Sequence, residues 1–247
     1  MLTTNVADGV HLVATSHVNC YLLEDEDGVT LVDTGLPATW DELGDALEEI
    51  GRPQDLTAVV LTHAHFDHLG CAARAQAEWQ VPIWAHDQDH YLAAHPYRYA
   101  HEKPRLLYPL RYPRGRRMLT DMARAGALRV RGVRGLRSLA AGTVLDVPGR
   151  PRVVFTPGHT AGHCALHLAD RSTVLSGDAL VTLDISTGHT GPQIVAGAAT
   201  ADRAQALASL DALLETRAGT VLPGHGDPWR SGIEAAVTHA RTHYTDD

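Results

Sequence analysis

Cysteine is scarce. Cys20, Cys71 and Cys164 are the only three in 247 residues, and no two of them form a Cys-x-x-Cys pair. That excludes a disulfide framework and a thiolate zinc site, and leaves three thiols as packing residues. Long apolar runs are missing too: none approaches the ~20 residues that span a bilayer. The opening Met-Leu-Thr-Thr-Asn-Val-Ala-Asp lacks the basic and apolar regions of a secretion signal, so a cytoplasmic protein with no membrane partner is expected. There is no Gly-x-Ser-x-Gly, hence no serine nucleophile elbow. Internal repeats are absent as well. What remains, 44% hydrophobic and 20% charged residues, is the composition of a globular chain able to bury its own core.

Apolar patterning gives an α/β order. Val18–Leu23 and Val29–Asp33 read as strands joined by the acidic turn Glu24-Asp25-Glu26-Asp27-Gly28. A helix follows from Thr39 to Ile50, closed by Gly51, and then a Val-rich strand at Leu56–Leu61. Helical spacing from His68 to Trp79 leads to a short strand at Val81–Ala85. Residues 86–139 lose the clean periodicity, apart from a helical stretch at Met118–Leu128, and read as an insertion within one domain covering 1–247. Strands return at 143–147, 152–156, 163–168 and 172–176. A helix at 201–216, a strand at 220–222 and a closing helix from Gly232 complete the chain.

Sixteen histidines are many for this length, and they gather beside Asp and Gly rather than scattering. The run His63-Ala64-His65-Phe66-Asp67-His68 sits in the loop after the Val-rich strand. It packs three imidazoles and a carboxylate into six residues, and nitrogen and oxygen donors of this kind suit zinc, iron or manganese. The i, i+2 spacing needs a loop, since a helix would align i and i+4. His159, Asp178 and His225 each stand in a Gly-containing turn directly after a predicted strand, where they can converge on the same centre.

The ordered set Asp33, His63-x-His65-x-Asp67-His68, His159, Asp178 and His225 resembles the five motifs of the metallo-β-lactamase superfamily. The resemblance implies an αββα sandwich of two mixed β-sheets flanked by helices. It also implies two divalent metal ions, zinc in the first place with iron or manganese as alternatives. His63, His65 and His159 match the ligands of one metal; Asp67, His68 and His225 match those of the other; Asp178 matches the bridging carboxylate. Asp33 and His163 match residues that support ligands from behind. The activity implied is hydrolysis of an ester, lactone or thioester by a metal-bound hydroxide, with Asp67 or Asp178 orienting the nucleophile and receiving its proton.

Departures from individual branches narrow the substrate. Asp178 and the missing secretion signal argue against a β-lactam. Only 22 residues follow His225, too few for the helical domain of glyoxalase II, and Ala179, Leu180 and Val181 stand where lactonases carry a Tyr soon after the Asp. Of the 21 Lys and Arg residues, 12 lie at 98–137 against Glu102 and Asp121, a net +10, so the remainder carries -18. A basic lid, or a homodimer contact against the acidic remainder, is preferred there to nucleic-acid binding. A small substrate, neutral or anionic, is the expected partner, met by Tyr108, Arg111 and His189. A phosphodiesterase, a mononuclear non-haem iron dioxygenase of the persulfide type, and a binding protein without turnover are the competing readings.

Overall fold

The structure is a computed structural model that describes residues 1–244. One sheet has seven strands in chain order: β1 (Leu2–Ala7), β2 (Val10–Thr15), β3 (Val18–Asp25), β4 (Gly28–Val32), β5 (Leu56–Val60), β6 (Ile83–Ala85) and β7 (Arg137–Ser138). The first four pair antiparallel and the rest parallel. Helices α1 (Trp40–Glu49) and α2 (Ala72–Glu78) make the parallel crossovers, and α3 (His90–Ala94), α4 (Tyr108–Arg111) and α5 (Pro113–Arg124) lie between β6 and β7. The second sheet contains β8 (Arg152–Phe155), β9 (Cys164–Leu168) and β10 (Thr173–Gly177), with β13 (Thr220–Pro223) parallel to β10 at its edge. A hairpin of β11 (Val181–Leu183) and β12 (Thr190–Gln193) and the helices α6 (Arg203–Leu214) and α7 (Ile233–Thr242) complete it.

Strand alternation builds the layers. Along β3, Tyr21 and Leu23 face the second sheet and join Val32, Val60, Val153, Leu166, Leu175 and Leu222 in the central core. Their neighbours Cys20 and Leu22 face the other way, against Leu43 and Leu47 of α1 and Ala72 and Ala75 of α2. On the far side Ala165, Val174 and Val221 meet Leu210 and Leu213 of α6 and Val237 of α7. The result is helix, sheet, sheet, helix, the αββα arrangement expected. Because both faces of β3 are buried along Val18–Leu23, the run Cys20–Leu23 is apolar at every position and does not alternate. The three cysteines are free and buried.

Residues 86–139 share the first of these cores. Met122 and Val133 lie in the cluster of α1 and α2, together with Ile185 from the loop between β11 and β12. The contact with that loop is close: a Cβ added at Gly115 of α5 would stand 2.0 Å from the Ser186 carbonyl oxygen. Glycine is therefore what lets α5 lie against the loop.

Two local expectations change. Residues 143–147 make no strand but a single bridge, Val144 to Arg152, flanked by hydrogen bonds of Thr143 and Leu145 to Val153 and Pro151, and the Pro148-Gly149 turn ends the pairing there. The β1–β2 ribbon is an addition. No helix of the described residues is long and apolar enough to cross a membrane.

Candidate metal centre

The polar residues singled out in the sequence lie just beyond five strand ends. Asp33 follows β4, His63 to His68 follow β5, His159 follows β8, Asp178 follows β10 and His225 follows β13. All are buried. Ligand atoms fall into three overlapping groups, His63–His65–His159, His63–His68–Asp178 and Asp67–His68–His225, each within 4.8 Å. The Asp178 carboxylate stands between them, with Oδ2 3.4 Å from His159 Nε2 and 3.2 Å from His225 Nε2, and Oδ1 3.5 Å from His68 Nε2. His225 Nε2 is also 3.5 Å from Asp67 Oδ2.

Hydrogen bonds behind the rings aim them. Asp33, held at φ +58°, accepts from the Thr62 N–H and hydroxyl, both at 2.8 Å, and from His68 Nδ1 at 2.9 Å. Since the Thr62 hydroxyl proton goes to Asp33, its oxygen accepts from His63 Nδ1 at 3.1 Å. Likewise Thr200 donates to the Val195 carbonyl and accepts from His159 Nδ1 at 3.2 Å. His225 Nδ1 donates to the His17 carbonyl at 2.7 Å. Four imidazoles thus carry their proton on Nδ1 and turn an Nε2 inward.

The inward atoms test whether a metal fits. His63 Nε2, His65 Nε2, His159 Nε2 and Asp178 Oδ1 are buried and have no hydrogen-bond partner. Each would cost ~1–3 kcal/mol if left so, and cations held by the groups described above would satisfy all of them. The donor set of imidazole nitrogen and carboxylate oxygen suits zinc, iron or manganese. Gly224 leaves the necessary space, for a Cβ there would lie 2.2 Å from Asp178 Oδ1.

Electrostatics divide the rings. Burial, reinforced by neighbouring imidazoles, holds His63 well below the usual histidine range. Burial likewise depresses His159 well below it and His65 to about 4, against the pull of Asp178 and, for His65, Asp67. All three are neutral donors at pH 7. Burial opposes a charge on His68 as well, yet Asp178 and Asp33 overcome it and raise the pKa to about 10; His225 is raised in the same way, chiefly by Asp178. Asp178 stays well below the ordinary carboxylate value because His225 and His68 outweigh the effect of its burial.

His163 stands behind the centre. The Asp178 N–H donates to its Nε2 at 2.9 Å, and its Nδ1 bonds Thr156 Oγ1 at 2.8 Å, so its lone pair is spent holding Asp178. Tyr108 lines the cleft above the metal donors. His189 and Arg111 do not: His189 packs edge-on to Tyr112 beside a separate cavity, and the Arg111 guanidinium lies 5.3 Å over the Tyr112 ring.

Sequence reading missed Asp89. Buried at the end of the turn after β6, it accepts from the Ala64 N–H at 2.9 Å, the Thr160 hydroxyl at 2.8 Å and the Gly162 N–H at 2.8 Å. One carboxylate thereby ties the loop of His63 and His65 to the loop of His159 and His163. Asp184 was missed too. It accepts three backbone N–H groups, of Ser186, Thr187 and Ala196, and shapes one wall of the cleft. Neither carries a spacing signal, because each is a lone acid whose partners are mostly backbone N–H groups.

Comparison with known proteins gives a family. The sequence profile described as Metallo-beta-lactamase superfamily matches residues 14–225. The chain is similar to the probable metallo-hydrolase YflN of Bacillus subtilis (strain 168), 28% identical over 186 residues, 72% of this chain and 66% of that protein. It is also similar to an N-acyl homoserine lactonase of Bacillus thuringiensis, 28% identical over 191 residues, 68% of this chain and 63% of that one. The chain thus spans about two thirds of the length of these relatives. Among solved structures, TTHA1623 in a di-iron-bound form is 27% identical with a TM-score of 0.63, covering 91% of this chain and 95% of that one.

Proposed function

We propose that this chain, which belongs to the metallo-β-lactamase superfamily and is a hydrolase of that fold, uses a dinuclear centre to cleave an ester, lactone or thioester. The observation that carries the reading is the placement of Asp178, one carboxylate 3.4 Å from His159 and 3.2 Å from His225, between two triads that share no residue. His63, His65 and His159 would hold one ion, and Asp67, His68 and His225 the other. Seven donors exceed what one tetrahedral ion uses. The di-iron form of TTHA1623 and the lactonase from Bacillus thuringiensis support the number of metals and the acyl chemistry.

Bound divalent ions supply an activated water at neutral pH and a Lewis acid for the acyl oxygen. The side chains supply the rest. Asp67 and Asp178 both reach the cleft, and Asp67 has the larger side-chain exposure, 11% against 4%. Asp67 therefore orients the incoming water and takes its proton, while Asp178, pinned through its own N–H by His163, keeps the two triads apart. The apolar lining of the cleft excludes bulk water from the acyl group.

The test is metal analysis followed by a panel of ester, lactone, thioester and phosphodiester substrates. Two ions per chain and acyl hydrolysis that disappears in His63→Ala and Asp178→Ala are expected. Full activity after metal stripping, or one iron per chain with oxygen uptake and no acyl hydrolysis, would overturn the reading.

A further inference from the structure

The cleft above the donors encloses about 640 Å³, counting its open mouth. Its walls are apolar: Phe66 from the histidine loop, Leu119 and Met122 from α5, Ile185 and Val195 from the segment that Asp184 shapes. Apart from the metal donors, the polar lining is confined to Ser186, the phenols Tyr99 and Tyr108, and Arg105. Among the described residues that line the cleft, Arg105 is the one Lys or Arg.

That cation is held in place. Its guanidinium carbon lies 4.6 Å from the centroid of the Tyr99 ring, and the Tyr99 ring lies 4.7 Å from that of His65 at a tilt of 54°, so arginine, phenol and imidazole form a contiguous row of contacts. Among the described residues no carboxylate lies within ion-pair distance of Arg105. Beyond the donors, Ser186 and the two phenols, the rest of the lining is apolar, and the segment 98–137 around it carries a net +10. Arg105 is exposed to solvent where it lines the cleft, and a guanidinium at the rim of an apolar cleft receives a planar anion far better than a neutral group.

Resting on the hydrolase reading above, we infer that the substrate is an acyl ester, lactone or thioester bearing an apolar chain and one carboxylate- or phosphate-type negative group, the chain lying against Phe66, Leu119, Met122, Ile185 and Val195 and the anion received by Arg105. Arg105 is then the specificity residue. A polyanion such as nucleic acid fits poorly, since five apolar side chains would desolvate its phosphates without partners. A short neutral acyl group would leave both the walls and the arginine unused.

The experiment uses matched thioesters of equal chain length that end in a carboxylate or in a carboxamide, and the corresponding alkyl amides, which are not turned over. For metal-loaded wild type, kcat/KM for the carboxylate-ended thioester should exceed that for its carboxamide partner by about tenfold, and the amide pair should show a similar ratio in binding by calorimetry. In Arg105→Gln both ratios should fall to within about twofold of one, while Arg105→Lys keeps part of the preference. Raising salt should shrink the wild-type ratio, as expected for a charge near the surface. Shortening the apolar chain should lower kcat/KM in both series. Wild-type ratios at or below one, or ratios that Arg105→Gln leaves unaltered, overturn the inference. If neither thioester is hydrolysed, the hydrolase reading falls, and the amide pair still decides whether Arg105 selects an anionic amphiphile.

Discussion

Replacing Asp89 by alanine tests whether one buried acid aligns both halves of the centre. Its Oδ2 accepts from the Ala64 N–H and the Thr160 hydroxyl, and its Oδ1 from the Gly162 N–H, at 2.8 to 2.9 Å. Truncation strands three buried donors, each worth ~1–3 kcal/mol. Removing a buried charge gives some of that back, and a water entering the space gives back more. The net expected loss is about 3 kcal/mol in the metal-free protein. Asn should do better: with its oxygen turned to Ala64 and Thr160, only the Gly162 N–H meets the amide nitrogen, for a loss of about 1–2 kcal/mol. Because Ala64 lies between His63 and His65 and Thr160 follows His159, metal affinity should drop about 10–100-fold in the alanine variant. The assays are denaturant unfolding of chelator-treated protein and competition with a metal-binding dye. Burial raises the Asp89 pKa in spite of its hydrogen bonds. Its folded value therefore lies above the unfolded one, and its contribution is complete below the unfolded pKa and lost as pH rises through the folded pKa. The stability advantage of wild type over Asp89→Asn should shrink over that interval. An alanine variant that unfolds within about 0.5 kcal/mol of wild type and binds metal equally well would refute the argument.

Two further outcomes follow from the same geometry. Asp33→Ala removes the partner of His68 Nδ1 and the acceptor of two Thr62 donors, so it should lower kcat by at least about 100-fold while metal analysis shows loss of one ion more than the other; equal occupancy of both would contradict the orienting role. Metal loading must strip the Nε2 proton that His68, with its pKa raised to about 10, holds in the metal-free protein, and the raised pKa of His225 acts in the same direction. At pH 8 zinc titration in buffers of different ionisation enthalpy should report release of about one proton or more per chain, with affinity rising from pH 6 to pH 9; release indistinguishable from zero would contradict the charge assignment.

The layers and the donor residues were legible because they rest on short-range pattern. α1 was expected at 39–50 and occupies Trp40–Glu49, since its apolar spacing and Gly51 lie within one segment. α2 was expected from His68 and begins at Ala72, because His68 to Cys71 are bent into the ligand loop, with the Leu69 N–H bonded to the His65 carbonyl. The helix at 118–128 lies instead at Pro113–Arg124, where Pro113 supplies the first-turn signal. The β1–β2 ribbon escaped notice because Thr3, Thr4 and Asn5 are exposed and Asn5, at φ +52°, breaks the alternation that marks a strand. Asp89, Asp184 and the cleft-lining Arg105 were hidden for a different reason. Their partners lie far away in sequence, and which side chain meets a cleft wall depends on how the segment between β6 and β7 docks through Gly115.

The seven-stranded sheet pairs its strands in the order of the chain and is finished at β7, by Ser138. Each of the three donor groups, however, includes His159, Asp178 or His225. A nascent chain emerging from the ribosome can therefore assemble its first sheet while holding only part of any metal site. Capture of metal with three donors would have to wait for His159, and the second triad would wait for His225, which follows the last strand of the second sheet. Loading would thereby be deferred until the two sheets have closed on each other, so that an ion bound with full coordination would report that both sheets are formed.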